Sequence, residues 1–295
     1  MDNKRLIDRY FETSIQEDKT IKLLFEGDDY SIGKQGDKIC FIVKSDGGPN
    51  RRFMNGDMSI SINARYIVSD IEGLYSIIFY HTDQPKRLEI FIDTLVSYAT
   101  MNKIKSDDLL TLYNEISEVF KKIDFDYNKF VGNIGELLFI KHMYNIHKIN
   151  MVDYYKGSDP HLVDFMFNDV NFEIKTSLSD ERKHHINNDQ LIGNGYLCSI
   201  LIKEQNNGMT IDEIFNGIKD LFMNFQSKKA YFQNFLLSVP FNYSNQKFNT
   251  SIDNIRLYAF TDIPKFNNYH ESISNIRFIC DFSNMTFLSI DKLFA

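Results

Sequence analysis

The chain has 295 residues, is 43% hydrophobic and 25% charged, and carries a formal net charge of −7. That length supports one large domain or two modest ones with an ample core, and no apolar run approaches the ~20 residues a membrane span requires. The acidic balance excludes a protein that coats nucleic acid indiscriminately, while leaving room for a local basic patch.

The opening MDNKRLIDRYFE is too charged for a signal peptide. Cys40, Cys198 and Cys280 each stand alone in an apolar run, without zinc-site spacing. They read as reduced core residues, and a cytoplasmic protein is expected.

In chain order, a first amphipathic helix is expected over Lys4–Gln16, through Leu6, Ile7, Tyr10 and Phe11. Short apolar segments follow at Tyr30–Ile32, Lys38–Lys44, Met58–Ile62, Tyr66–Ile71 and Leu74–Tyr80, parted by Gly- and Asp-containing turns. This spacing predicts a small antiparallel β domain. Asp46–Asn50 is Gly-rich but lacks the lysine and following helix of a phosphate-binding loop, so it reads as a turn. The neighbouring Arg51 and Arg52 either touch a phosphate backbone or simply solvate the surface.

Helices are expected over Arg87–Ala99 and from Ser106 to about Lys122. Ser106 stands as the N-cap of the second, with Asp107 and Asp108 at its positive end. The domain boundary is placed near residue 105: 1–105 as the β-rich module, 106–295 as the second domain, with 106–126 as a bridging helix.

From Tyr127 to His147 apolar residues recur at helical spacing: Phe130, Ile134, Leu137, Leu138 and Met143. Gly132, Gly135, Glu136 and Phe139 share another face. Glycine inside a helix costs up to about 1 kcal/mol against alanine. The pair therefore marks either a close approach to another backbone, with Glu136 aimed into a site there, or a frayed first turn. His142 and His147 are five apart, a poor spacing for sharing a metal on one α-helix, and read as ordinary.

Two apolar runs, His161–Phe167 and Asn171–Ser177, are joined by Asn168-Asp169, a dipeptide suited to a tight hairpin. If those two residues are the whole loop, Phe167 faces Val170 and Asp164 faces Glu173, with Cβ atoms roughly 5 Å apart on one face. The strand's period of two adds Lys175 to that face. Two opposed carboxylates call for positive charge between them. A divalent ion such as Mg²⁺, held by one or two carboxylates plus waters and phosphate oxygens, supplies it, and a neighbouring lysine can hold the attacking water. A surface hairpin with one wet face would show the same alternation.

After the hairpin, SLSDERKHHINNDQ holds the densest basic cluster, Arg182, Lys183, His184 and His185. It lies along a substrate's phosphates or forms a solvated loop, and a helix start is expected at Asn187–Gln190. A strand is predicted over Tyr196–Lys203, and a capping box at Thr210–Glu213 opens a helix carrying Ile211, Ile214, Phe215, Ile218, Leu221 and Phe222. A helix over Lys228–Val239 and β segments at Asn254–Thr261, Asn275–Phe282 and Met285–Ile290 complete the chain.

Taken together, GNIGELLFI, LVDF, FEIKTS and INNDQL resemble the bacterial family of PD-(D/E)XK motif proteins, over roughly Val131–Leu191, with looser agreement along most of the chain. Val163, not proline, precedes Asp164. The nearest proline is Pro160, which leaves Asp159 as a rival for the metal aspartate, though in poorer hairpin register.

The resemblance implies an α/β (α+β) restriction-endonuclease-like core beside the N-terminal β-rich domain, and a Mg²⁺-dependent DNA endonuclease with Mn²⁺ as the alternative ion. Asp164, Glu173 and the backbone carbonyl of Ile174 are then the metal ligands. Lys175 positions the water, and Glu136 completes the acidic site as a second-metal or water-linked ligand. Arg182, Lys183, His184, His185 and Gln190 are the DNA-facing set.

Relatives of this kind sit beside DNA methyltransferases and ATPases in restriction-like gene clusters, so a defence role with such partners is expected. Cutting both strands would require two sites and hence a homodimer. The other reading keeps the fold without catalysis, as a DNA-binding or scaffolding subunit of a defence complex.

Overall fold

The computed structural model describes residues 3–13, 20–120, 124–156, 163–249, 255–266 and 276–294. They fall into two compact units, Met1–Asp124 with Gln226–Ser238, and Phe125–Phe225 with Val239–Ala295.

The first unit begins with α1 (Asn3–Glu12) and continues through β1 (Thr20–Glu26), β2 (Ser31–Gln35), β3 (Lys38–Lys44), β4 (Arg51–Asn55), β5 (Met58–Val68) and β6 (Ile71–His81). The strands pair antiparallel in the order β1-β2-β3-β6-β5-β4, and a short parallel pairing joins β1, at one end, to β5, next to the other. Alternation along β3 fills both faces. Ile39, Phe41 and Val43 join the large core, while Cys40 and Ile42 join a smaller one with Ile77 and Phe79. Helices α2 (Pro85–Met101) and α3 (Asp108–Ser117) cover the large core with Leu88, Phe91, Leu95, Leu112 and Tyr113. A later helix, Gln226–Ser238, packs on α2 and adds Ala230.

Several expectations are corrected here. β1 and β4 are strands that were not anticipated, and Arg51 and Arg52 lie exposed in β4, at the end of the sheet order. β5 is one strand where two were expected. Its register shifts between Ser61 and Ala64, where Asn63 takes φ +50°, so the strand bends instead of ending. Ser106 does not cap α3. Its hydroxyl is buried against Ser76 Oγ (2.6 Å) and Asn63 Oδ1 (3.0 Å), and the helix starts two residues later. Because α3 and the Gln226–Ser238 helix place their apolar faces in the N-terminal core, that compact unit continues past residue 105 and takes back a helix from far along the chain.

The second unit opens with α4 (Tyr127–His142), where the Asp126 carboxylate caps Asn128 N–H at 2.8 Å and Lys129 N–H at 3.2 Å. A π-helical turn, Met143–His147, extends it. Then come β7 (Phe165–Phe167), β8 (Val170–Ser177), β9 (Lys183–Asn187), β10 (Gly195–Leu201), β11 (Glu204–Met209), α5 (Ile211–Asn216), α6 (the Gln226–Ser238 helix of the first unit), α7 (Phe241–Ser244), β12 (Ile255–Ala259), β13 (Arg277–Asp281) and α8 (Ile290–Leu293). Four strands form a sheet in the order β12-β10-β8-β7, with β8 and β10 parallel and the outer pairs antiparallel, while β9 pairs with β13.

The capping box at Thr210 and Glu213 forms as expected, with bonds of 2.8 and 3.2 Å, but α5 stops at Asn216 and a 3₁₀ turn follows over Lys219–Phe222. In the segment expected as a last strand, only Leu288 bridges, to Leu257, before α8 begins.

Candidate active site

The site is built where α4 lies on the β7–β8 hairpin. Asn168 (φ +48°) and Asp169 (φ +61°) both adopt the left-handed conformation that a two-residue hairpin turn requires, and Phe167 pairs with Val170 as the sequence predicts. Phe139 of α4 packs on Phe165 (5.0 Å between ring centroids) and Phe172 (5.8 Å). Gly135 lets the helix approach β8 so closely that a Cβ there would stand 1.8 Å from Thr176 Oγ1. The approach is to a side chain rather than to backbone, and Gly132 has no part in it, since nothing lies within 4 Å of a Cβ built there.

Phe172 and Thr176 face α4, so the intervening Glu173 and Lys175 project from the opposite face of β8. Lys175 Nζ lies 2.6 Å from Glu173 Oε1 and donates to Gln190 Oε1 at 3.4 Å. Glu173 has a side chain only 3% exposed, and its second oxygen, Oε2, is buried without a hydrogen-bond partner. Asp164 sits just before β7 rather than within it, its carboxylate accepting the Ile174 N–H at 2.6 Å.

Glu136 enters from the α4 side, where Tyr155 O–H donates to Oε2 at 2.6 Å. Tyr155 was not anticipated. It arrives because Tyr155 bridges to Phe165 and Lys156 N–H bonds to the Asp164 carbonyl at 2.8 Å, a long-range pairing without a local sequence signal. Asp159 and Pro160 lie outside the described residues.

All three carboxyl groups titrate high. Burial pushes Glu136 up to about 7, with the Tyr155 hydrogen bond opposing and the Glu173 charge adding. Burial and then the charges of Glu173 and Glu136 raise Asp164 well above the carboxylate range, and burial raises Glu173 against the pull of Lys175. Like charges crowded away from water resist ionisation until a cation joins them. With the orphaned Glu173 Oε2, these carboxylates are donors of the kind a hard divalent ion takes along with several waters, although Glu136, Asp164 and Glu173 do not bring one oxygen each within 4.8 Å of the others.

Over residues 94–283 the chain matches the family described as "Putative PD-(D/E)XK family member, (DUF4420)". The chain belongs to this PD-(D/E)XK family. No curated protein and no solved structure matches it. Membership agrees with the mixed α/β architecture and with the restriction-endonuclease-like fold expected for it, and PD-(D/E)XK nucleases generally use divalent metals. Among the described residues, no helix is long and apolar enough to cross a membrane.

The basic cluster of this PD-(D/E)XK chain, expected either along a substrate's phosphates or as a solvated loop, is divided by strand alternation. β9 presents Lys183 and His185 outward and buries His184, and Arg182, just before the strand, is buried too. Arg182 Nη1 donates to the Ser199 carbonyl (2.7 Å) and hydroxyl (2.9 Å), and His184 Nε2 meets the same hydroxyl at 2.7 Å. Burial, then the charges of Lys175 and Arg182, pull His184 down to about 4, so it is neutral. The exposed Lys183 lies 2.6 Å from Glu181 and 4.0 Å from Asp281. Gln190, at the end of a 3₁₀ turn, stands beside Lys175.

The histidine pair expected to be ordinary is also corrected. His142 and His147 come together, with ring centroids 5.9 Å apart, because the helix widens into a π-turn between them.

Proposed function

We propose that this chain is a divalent-metal-dependent nuclease that hydrolyses DNA phosphodiester bonds, with Mg²⁺ as its ion and Mn²⁺ able to substitute. The observation that carries the reading is the burial of Glu173 with one oxygen unpartnered, between Lys175 and the raised carboxyl of Asp164. Packing alone gives no reason to bury such a group. A bound ion would supply Lewis-acid polarisation of the scissile phosphate and offset its charge.

Asp164, Glu173 and the backbone carbonyl of Ile174 are the residues that would hold it. Lys175 is the group for the attacking water, its ammonium carrying donors but no acceptor. Gln190 steadies that lysine. Glu136, pushed up to about 7 and held by Tyr155, can exchange a proton near neutral pH or complete the cation's shell through water. Lys183 and His185 are the exposed members of β9 available to the DNA backbone. A cytoplasmic restriction or phage-defence role, with methyltransferase and ATPase partners and a homodimer for cutting both strands, belongs to the same proposal.

The test is cleavage of plasmid and linear DNA by purified protein with Mg²⁺ or Mn²⁺. Wild type should cut. Lys175→Ala should not, while keeping a metal-induced rise in Tm through ligand linkage. Asp164→Ala and Glu173→Ala should lose both cutting and the Mg²⁺ response. Wild-type cleavage by all three variants would place the activity elsewhere. A wild type that binds DNA but never cuts would favour the scaffolding role.

A further inference from the structure

The π-helical turn at the end of α4 solves a geometric problem. In a regular α-helix, residues five apart are about 140° from one another around the axis, at 3.6 residues per turn. The wider turn Met143–His147, closed by Lys148 N–H to the Met143 carbonyl and ended by Lys148 in the left-handed region (φ +58°), brings His142 and His147 to one side. Asp291, on α8, meets them there. His142 Nε2 is 3.7 Å and His147 Nε2 3.2 Å from Asp291 Oδ1. One candidate ligand atom from each of the three lies within 4.8 Å of the others, and among the described residues this is the group of three that does so.

An ordinary ion pair explains this cluster poorly. His142 has a side chain only 3% exposed, yet neither of its ring nitrogens makes a hydrogen bond, and the buried His147 Nε2, though 3.2 Å from Asp291 Oδ1, makes none either. Leaving buried polar groups without hydrogen bonds is costly. The Asp291 side chain is 51% exposed and gives an ion a route from solvent. The Phe294 ring lies 5.3 Å from His147 and steadies the approach of the C-terminal segment.

We propose that His142, His147 and Asp291 form a zinc-type metal site, distinct from the Asp164–Glu173 site, that fastens α8 to the end of α4. Two imidazoles and one carboxylate leave a fourth position for water, as borderline-soft ions such as Zn²⁺ accept. Mg²⁺ prefers oxygen ligands alone, so the two sites differ in the ion they select. π-turns recur at functional sites because they re-aim side chains in this way.

The experiment uses full-length protein stripped with chelator, then titrated with Zn²⁺ against a chromophoric competitor and with Co²⁺ read by visible absorption. Wild type should bind one Zn²⁺ that excess Mg²⁺ does not displace. Asp291→Asn and His147→Gln should weaken it by about 100-fold or more, beyond the range of outer-shell losses. Zn²⁺ should raise the Tm of wild type and not of Asp291→Asn. Asp164→Ala and Glu173→Ala should keep this Zn²⁺ site whether or not the protein is a nuclease. Asp291 is half-exposed, so Asp291→Asn should fold even if His142 variants do not. The proposal is overturned if wild type binds Zn²⁺ no tighter than Asp291→Asn, or if the Zn²⁺ equivalent disappears in the Asp164 and Glu173 variants instead.

Discussion

At the scale of single residues, burial sets the chemistry more than residue type does. His184 and Glu136 show this with opposite signs. His184 is held down to about 4 by burial and the nearby charges of Lys175 and Arg182, with Ser199 as its hydrogen-bond partner and Phe282 against its ring. A depressed histidine binds fewer protons folded than unfolded. Its contribution is therefore complete above pH ~6.5 and falls away towards pH 4, by up to about 3 kcal/mol at ~1.36 kcal/mol per unit. Glu136, raised to about 7, contributes most at low pH and loses that contribution as pH rises through 7. The two pull against each other in wild type, so the difference between proteins isolates one. His184→Gln should remove the acid-side loss, measured as Tm at pH 4.5 minus Tm at pH 7.5. An unchanged difference would mean that His184 is protonated in the fold.

At the scale of elements, the packing of α4 on β8 decides where Glu136 can stand. Thr176 Oγ1, Cβ and Cγ2 lie 1.8, 3.0 and 3.3 Å from a Cβ placed on Gly135, so rotating Thr176 only exchanges one clash for another. Gly135→Ala should destabilise by about 1–3 kcal/mol, the usual range for overpacking. Gly132 meets open space, and Gly132→Ala should stabilise by up to about 1 kcal/mol through helix propensity. Urea denaturation of both variants checks this. Equal effects would mean that α4 does not depend on the close approach. Element-scale alternation also explains why the basic cluster could not be read as one surface. A loop would have exposed all four cations, but β9 pairs with β13 and turns every second side chain inward.

At the scale of the molecule, the first unit draws its core from distant parts of the chain. Leu109, Leu112, Tyr113, Ile116 and Phe120, together with Ala230, belong to the same core as the β-strands. A fragment 1–105 lacks all of them, and each large apolar side chain contributes about 1.5–3 kcal/mol when buried. That fragment should show no cooperative near-UV circular dichroism melt. A transition at the midpoint of the first unit in the full chain would support a boundary at residue 105.

The sequence by itself determined the features carried by local rules. Turn chemistry at Asn168-Asp169 set the hairpin register, the period of two put Glu173 beside Lys175, and the capping box started α5. Motif order was enough to point to the PD-(D/E)XK family. Only the tertiary structure decided what depends on partners distant in the chain. Examples are Tyr155 on Glu136, Arg182 and His184 turned onto Ser199, and Ser106 spent on Asn63 rather than on a helix cap. The meeting of His142, His147 and Asp291 is of the same kind. It needs a π-turn that local periodicity does not announce and a helix from the chain's far end. Side-chain spacing fixes which residues share a face, but what that face meets is set by burial of surface contributed from elsewhere.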